Sequence, residues 1–159
     1  MIKPHTPKPE EKIWGKATGY FHDGAYTEAH LAEINPGGFC SVHKHEYKHN
    51  HFFILSGRVL IEIYNNLDAE ASAAVVQVIA LEQGMAATVP AGIYHRFFTR
   101  MPSIVLETYT PLEGHKVELN DIVRVKPGGV ACVVPYYGSV TTEINPGSSS
   151  EKVHQSPDL

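Results

Sequence analysis

Apolar and polar residues along this chain alternate in short runs, without the three-to-four-residue recurrence of amphipathic helices. Alternation is clearest in YTEAHLAEI, residues 26–34, which ends at the turn sequence Asn35-Pro36-Gly37-Gly38. SVHKH, NHFFIL, RVLIEIY, AVVQVIAL, MAATV, IYHRFF and SIVLETY follow, each rich in β-branched and aromatic residues and of strand length. Ser56-Gly57, between NHFFIL and RVLIEIY, reads as a two-residue hairpin turn. NNLDAEASA at 65–73 is the longest connection in the middle, with room for a short helical turn. Many short strands separated by turns predict an all-β sandwich or barrel. Residues 1–18 read as an arm that adds an edge strand or lies across the barrel, and 19–135 as the barrel itself. Residues 136–159 read as an extension, and its end, NPGSSSEKVHQSPDL, has the composition of a disordered segment.

Composition narrows the picture. A chain of 159 residues fits one domain with enough length to bury a core. A net charge of −4 and a pI near 6.2 give no electrostatic reason to expect nucleic acid or an anionic membrane as partner. No apolar run is long enough to span a bilayer, and MIKPHTPKPEEKIW lacks the apolar stretch of a secretory signal. Cys40 and Cys132 lie in apolar settings, GFCSV and VACVV, that suit buried thiols. Two such cysteines form no disulfide framework, so the expectation is a reducing, cytoplasmic setting.

Histidine changes the picture most. HKHEYKHNH, residues 43–51, carries four histidines. On a strand, His43 and His45 project side by side, because side chains alternate between faces. After the bend, Asn50, Phe52 and Ile54 share one face, and His51, Phe53 and Leu55 the other. Further on, Gly84 is followed by the turn Pro90-Ala91-Gly92, which delivers His95 to the start of the next strand, where His95, Phe97 and Thr99 share a face.

These two segments resemble the paired motifs of the cupin superfamily. GGFCSVHKHEYKHNHFFILSG matches at Gly37, His43, His45 and Gly57, and GMAATVPAGIYHRFFT at Gly84, Pro90, Gly92 and His95. The resemblance implies a single double-stranded β-helix, or jelly-roll barrel, in which His43, His45 and His95 converge on a divalent metal ion. Zinc, iron, manganese and nickel are not distinguished. The motif glutamate is replaced by Asn50, and the asparagine that usually follows the second-motif histidine by Thr99. A finer resemblance, to the cupin domain of type II phosphomannose isomerases, is carried by EYKHNHFFILSG and by IVLETYTPLEG with NDIVRVKPGG. There Glu107 matches a strand glutamate, and Asp121, Ile122, Val123 and Arg124 match an acidic-apolar-arginine box. It implies a carbohydrate-type substrate. Family membership also implies a homodimer.

Asn50 leaves three readings open, since a neutral amide oxygen is a weak ligand for zinc or iron. It is a poor ligand or a group just outside a three-histidine metal, or His49 takes its place by a one-residue shift of the bend, or the metal is weak or absent. Glu107 shares a strand face with Val105 and Tyr109. If that face is inward, Glu107 is a candidate general base; outward, it is a solvated charge. Arg124 is a candidate clamp for an anionic group, against a salt bridge to Asp121. His5, His22, His30, His115 and His154 read as ordinary, with His30 the exception to watch. The expected function is metal-dependent isomerisation or epimerisation of a small sugar or sugar phosphate. An Fe(II) dioxygenase and a non-catalytic sugar-binding or sensor module are the alternatives.

Overall fold

A computed structural model of the protein describes residues 5–65 and 74–132. The connection at 65–73, apart from its first residue, and the extension at 136–159 lie outside the described residues. Among the described residues, thirteen strands form the fold: β1 (Pro9–Lys12), β2 (Gly15–His22), β3 (Glu28–Ile34), β4 (Gly38–Phe39), β5 (Val42–Lys44), β6 (Lys48–Ser56), β7 (Arg58–Tyr64), β8 (Val75–Glu82), β9 (Ala86–Val89), β10 (His95–Phe98), β11 (Ser103–Pro111), β12 (Val123–Lys126) and β13 (Gly129–Val130). The all-β jelly-roll expectation holds.

One sheet runs β1-β2-β3-β11-β6-β9, so the N-terminal segment supplies the edge strand β1, and β2 runs through position 18. In the other sheet β10 pairs with β7 on one edge and with β4 and β5 on the other, while β8, β12 and β13 extend it outward. Every pairing is antiparallel.

The Ser56-Gly57 hairpin expectation is corrected. β6 pairs with β9 and β11, while β7 pairs with β8 and β10, so the turn is a corner that carries the chain from one sheet to the other. Gly57 has φ +84°, and a Cβ there would meet Ser103 Oγ at 2.4 Å and Pro102 O at 2.5 Å. Only glycine fits so tight a corner. The cysteine expectation is half right. Cys40 is buried in the core, but Cys132, following the two-residue strand β13, is exposed.

Strand register divides the barrel interior into two ends. At one end Ala32, Ile54, Val59, Ile61, Phe97 and Val105 form a closed apolar core. One step along the same strands, inward positions become polar: Glu28 and His30 on β3, Lys48 and Asn50 on β6, Glu107 and Tyr109 on β11, His95 on β10. The apolar end stabilises the barrel, and the polar end opens on a cavity of about 700 Å³.

Candidate metal centre

His43 and His95 are cross-strand partners on β5 and β10. His45 follows β5 on the same face, and its carbonyl accepts the Gly92 N–H at 2.7 Å, which ties the Pro90-Gly92 turn to the histidine pair. One ring nitrogen from each of the three imidazoles lies within 4.8 Å of the others. Ring centroids stand 4.6 Å apart for His43 and His95, 5.1 Å for His43 and His45, and 5.9 Å for His45 and His95.

Each imidazole is oriented by its backbone surroundings. Nδ1–H donates to a carbonyl in all three: Ser41 O at 2.7 Å for His43, Ile93 O at 2.9 Å for His95, and Asp121 O for His45. That leaves Nε2 of each ring as the unprotonated ligand atom, as in ligating histidines whose second nitrogen is anchored. Burial pushes the pKa of all three down, to about 4 for His95 and well below the usual value for His43, whose neighbours His95 and His45 add repulsion. Neutral imidazole is the form a metal requires.

Asn50 faces the same cluster. It is 1% exposed, its Nδ2 lies 3.5 Å from His95 Nε2, and its Oδ1, like His45 Nε2, is buried without a hydrogen-bond partner among the described residues. A buried oxygen and a buried nitrogen that no protein group satisfies are costly unless a bound group satisfies them. The three ring nitrogens therefore fit a divalent cation, with the buried Asn50 amide beside them. His49 is not brought to it. Its side chain lies on the opposite face of β6, where Nδ1 accepts the Ala91 N–H at 3.1 Å. His51 shares that outer face, between Thr88 and Thr110 hydroxyls at 2.8 Å each. Thr99 is remote in role: its Oγ1 donates within the corner formed by Arg58, Met101 and Ser103.

Glu107 points inward. Burial raises its pKa, against the opposing effect of the Tyr109 hydroxyl, which donates to Glu107 Oε2 at 2.8 Å. The Tyr109 ring stands 5.2 Å from that of His45, so acid and histidine cluster share one cavity wall. Arg124 is exposed at the cavity rim, the cross-strand partner of His43. Among the described residues it has no ion-pair partner. Asp121 instead accepts the Glu46 and Tyr47 N–H groups at 2.8 and 3.0 Å, which holds the bend after His45.

Two cavity residues escaped the sequence reading. Lys48 is 2% exposed, with Nζ 2.7 Å from Glu28 Oε2 and 2.9 Å from Glu118 O. Strand parity carried the signal, because Lys48 is two positions from Asn50 and Glu28 two positions from His30.

The Cupin domain family profile matches residues 30–109. A search of curated proteins finds no match. Among solved structures the chain is similar to Streptomyces Pac13, described as a nucleoside dehydratase and determined with uridine. The identity is 13% and the TM-score 0.59, covering 80% of this chain and 93% of that one. It is also similar to Bacillus subtilis oxalate decarboxylase, at 11% identity and TM-score 0.57, over 74% of this chain and 30% of that one. KdgF from a Halomonas species aligns at 18% identity and TM-score 0.51, over 69% of this chain and 89% of that one.

Proposed function

The chain belongs to the cupin family, and on that premise we propose that it is a metal-dependent enzyme that isomerises or epimerises a small oxygenated substrate, a sugar or sugar phosphate. One observation carries the reading: three clustered imidazoles, held neutral by burial, stand beside a cavity that His43 and His45 line together with the half-buried Glu107, whose pKa burial raises. A lone histidine cluster would suit any cupin; the acid beside it gives a group suited to moving a proton.

His43, His45 and His95 would hold the ion, with Asn50 Oδ1 as a weak fourth donor. When bound, such an ion supplies Lewis acidity that polarises a substrate carbonyl. The chain's own residues do the rest. Glu107 accepts a proton from the carbon beside that carbonyl and returns one. The Tyr109 hydroxyl fixes the orientation of the carboxyl group. Arg124, at the rim and without an ion pair among the described residues, holds an anionic end such as a phosphate through charge-assisted hydrogen bonds. Uridine and oxalate, named for two of the similar structures, support the class of small oxygenated substrate and no particular reaction.

The test is to load the purified protein with each candidate metal and follow a panel of aldoses, ketoses and their phosphates by NMR. Interconversion of at least one pair is expected, and a panel left unchanged overturns the reading. The all-neutral donor set also suits iron and dioxygen. Oxygen uptake with iron, absent with zinc or manganese, would put a dioxygenase in its place, and binding without turnover a sensor module.

A further inference from the structure

The cavity wall carries a second acid–base unit that the reaction above leaves idle. Glu28, His30 and Lys48 all line the cavity with Glu107 and Tyr109. We propose that His30, oriented by Glu28, is a second proton-transfer residue working beside Glu107, and that the substrate is a small α-hydroxycarbonyl compound. This rests on the isomerase reading and assigns the step which that reading lacks.

His30 and Glu107 are directly opposed across the β3–β11 pair, on the inward face. Directly opposed residues hold their Cβ atoms about 5 Å apart, within reach of one small substrate. His30 Nε2 lies 2.7 Å from Glu28 Oε1, and the other Glu28 oxygen takes Lys48 Nζ at 2.7 Å. Lys48 in turn is fixed by Glu118 O and lies over the Tyr109 ring, 4.5 Å from its centroid. Burial alone would raise the Glu28 pKa, but the bonds from His30 and Lys48 outweigh it and the carboxylate stays ionised. An ionised carboxylate locked on both oxygens holds the imidazole in the Nε2–H tautomer, so Nδ1 is the free proton acceptor. Opposite His30 on β2 stands Gly19, where a Cβ would come within 3.6 Å of Nδ1. Glycine leaves that edge of the ring uncovered. His30 is 28% exposed against 5% for Glu28, as expected for a working base and its buried orienting group.

Aldose–ketose interconversion needs two proton movements, one between carbons and one between oxygens. Glu107 removes the proton from the hydroxyl-bearing carbon, and the electron pair moves toward the carbonyl, giving an enediolate. His30 carries the proton of the neighbouring hydroxyl to the former carbonyl oxygen. Glu107 then returns its proton to the former carbonyl carbon. One C–H and one O–H bond break, one of each forms, and no oxidant or reductant is consumed.

The experiment uses the full metal-loaded chain in D2O with the sugar panel. Wild type is expected both to exchange deuterium into the substrate carbon and to interconvert the pair. His30→Gln is expected to lose interconversion by about 100-fold or more while carbon exchange persists. Glu107→Gln is expected to lose both. Interconversion by His30→Gln at the wild-type rate overturns the role of His30 alone; a wild type with neither exchange nor turnover overturns the isomerase reading and this role with it. Nitrogen-15 NMR of the histidines supplies a substrate-free readout: His30 as the Nε2–H tautomer, perturbed by Glu28→Gln, is expected. The Nδ1–H tautomer would overturn the assignment whatever the activity.

Discussion

His43 and His95 stand directly opposed across the β5–β10 pair, rings 4.6 Å apart, each with Nδ1 committed to a carbonyl two residues back along its own chain. Two imidazoles so placed offer both Nε2 atoms to one point. His43→Ala is therefore expected to lower bound divalent metal from about one ion per chain to under a tenth, because two nitrogens and a neutral amide hold an ion poorly. His51→Ala, on the outer face of β6, serves as the control and should leave the stoichiometry unchanged. Elemental analysis after dialysis reads both, and equal metal in the two variants would refute the three-histidine site.

The same cluster makes the metal-free protein acid-labile. His43, His45 and His95 all have pKa values below the ordinary 6.5, chiefly through burial. An unfolded chain thus binds more protons than the folded one as pH falls below 6.5, and stability falls with pH. For His95, at about 4, the loss between pH 6.5 and 4 is on the order of 3 kcal/mol. Glu107 works the other way, since its raised pKa lets the folded form take up a proton first. Three imidazoles outweigh one carboxyl group, so the melting temperature of chelator-treated protein should drop steadily from pH 7 to pH 4.5. His95→Gln should flatten that slope, and a pH-independent melting temperature in wild type would show that burial does not suppress these histidines.

Asn50 supplies the sharpest substitution. Its Nδ2 lies 3.5 Å from His95 Nε2, and its Oδ1 is buried with no hydrogen-bond partner among the described residues. Asn50→Glu places a carboxylate beside the three imidazoles that would hold a cation, and the added attraction should tighten divalent-metal affinity at least tenfold, about 1.4 kcal/mol. In metal-free protein the same change buries an uncompensated charge and should lower the melting temperature. Isothermal titration reads the first effect and a thermal scan the second. Unchanged affinity would mean that Asn50 does not face the ion.

Local patterning made the strands legible, because alternation and turn residues are written within a few positions of each other. Parity also put Asn50, Phe52 and Ile54 on one face and His51, Phe53 and Leu55 on the other, and the structure buries the first set. What stayed hidden was pairing between distant segments. Ser56-Gly57 looks like a hairpin from its neighbours, and only the partners of β6 and β7 reveal a corner. Glu28 and Lys48 are separated by twenty residues, and each alone reads as a surface charge. A strand-parity count would have turned both inward, but nothing local says that they meet.

That hidden pair gives the last prediction. Lys48 Nζ and Glu28 Oε2 lie 2.7 Å apart, with side chains 2% and 5% exposed. Removing one partner of a buried pair leaves a charge without compensation, which costs about 3–5 kcal/mol. Lys48→Met should destabilise by that amount in urea unfolding at pH 7.5, where Glu28 is ionised. Glu28→Gln should cost less, because Lys48 keeps the Glu118 carbonyl at 2.9 Å and the face of Tyr109. Glu28→Gln with Lys48→Met removes both charges and should recover part of the loss, with a coupling energy of about 2 kcal/mol or more. Additive single effects would mean that the pair is solvated in solution. In that event Glu28 would be free to turn away from His30, and the orientation of that imidazole would lose its cause.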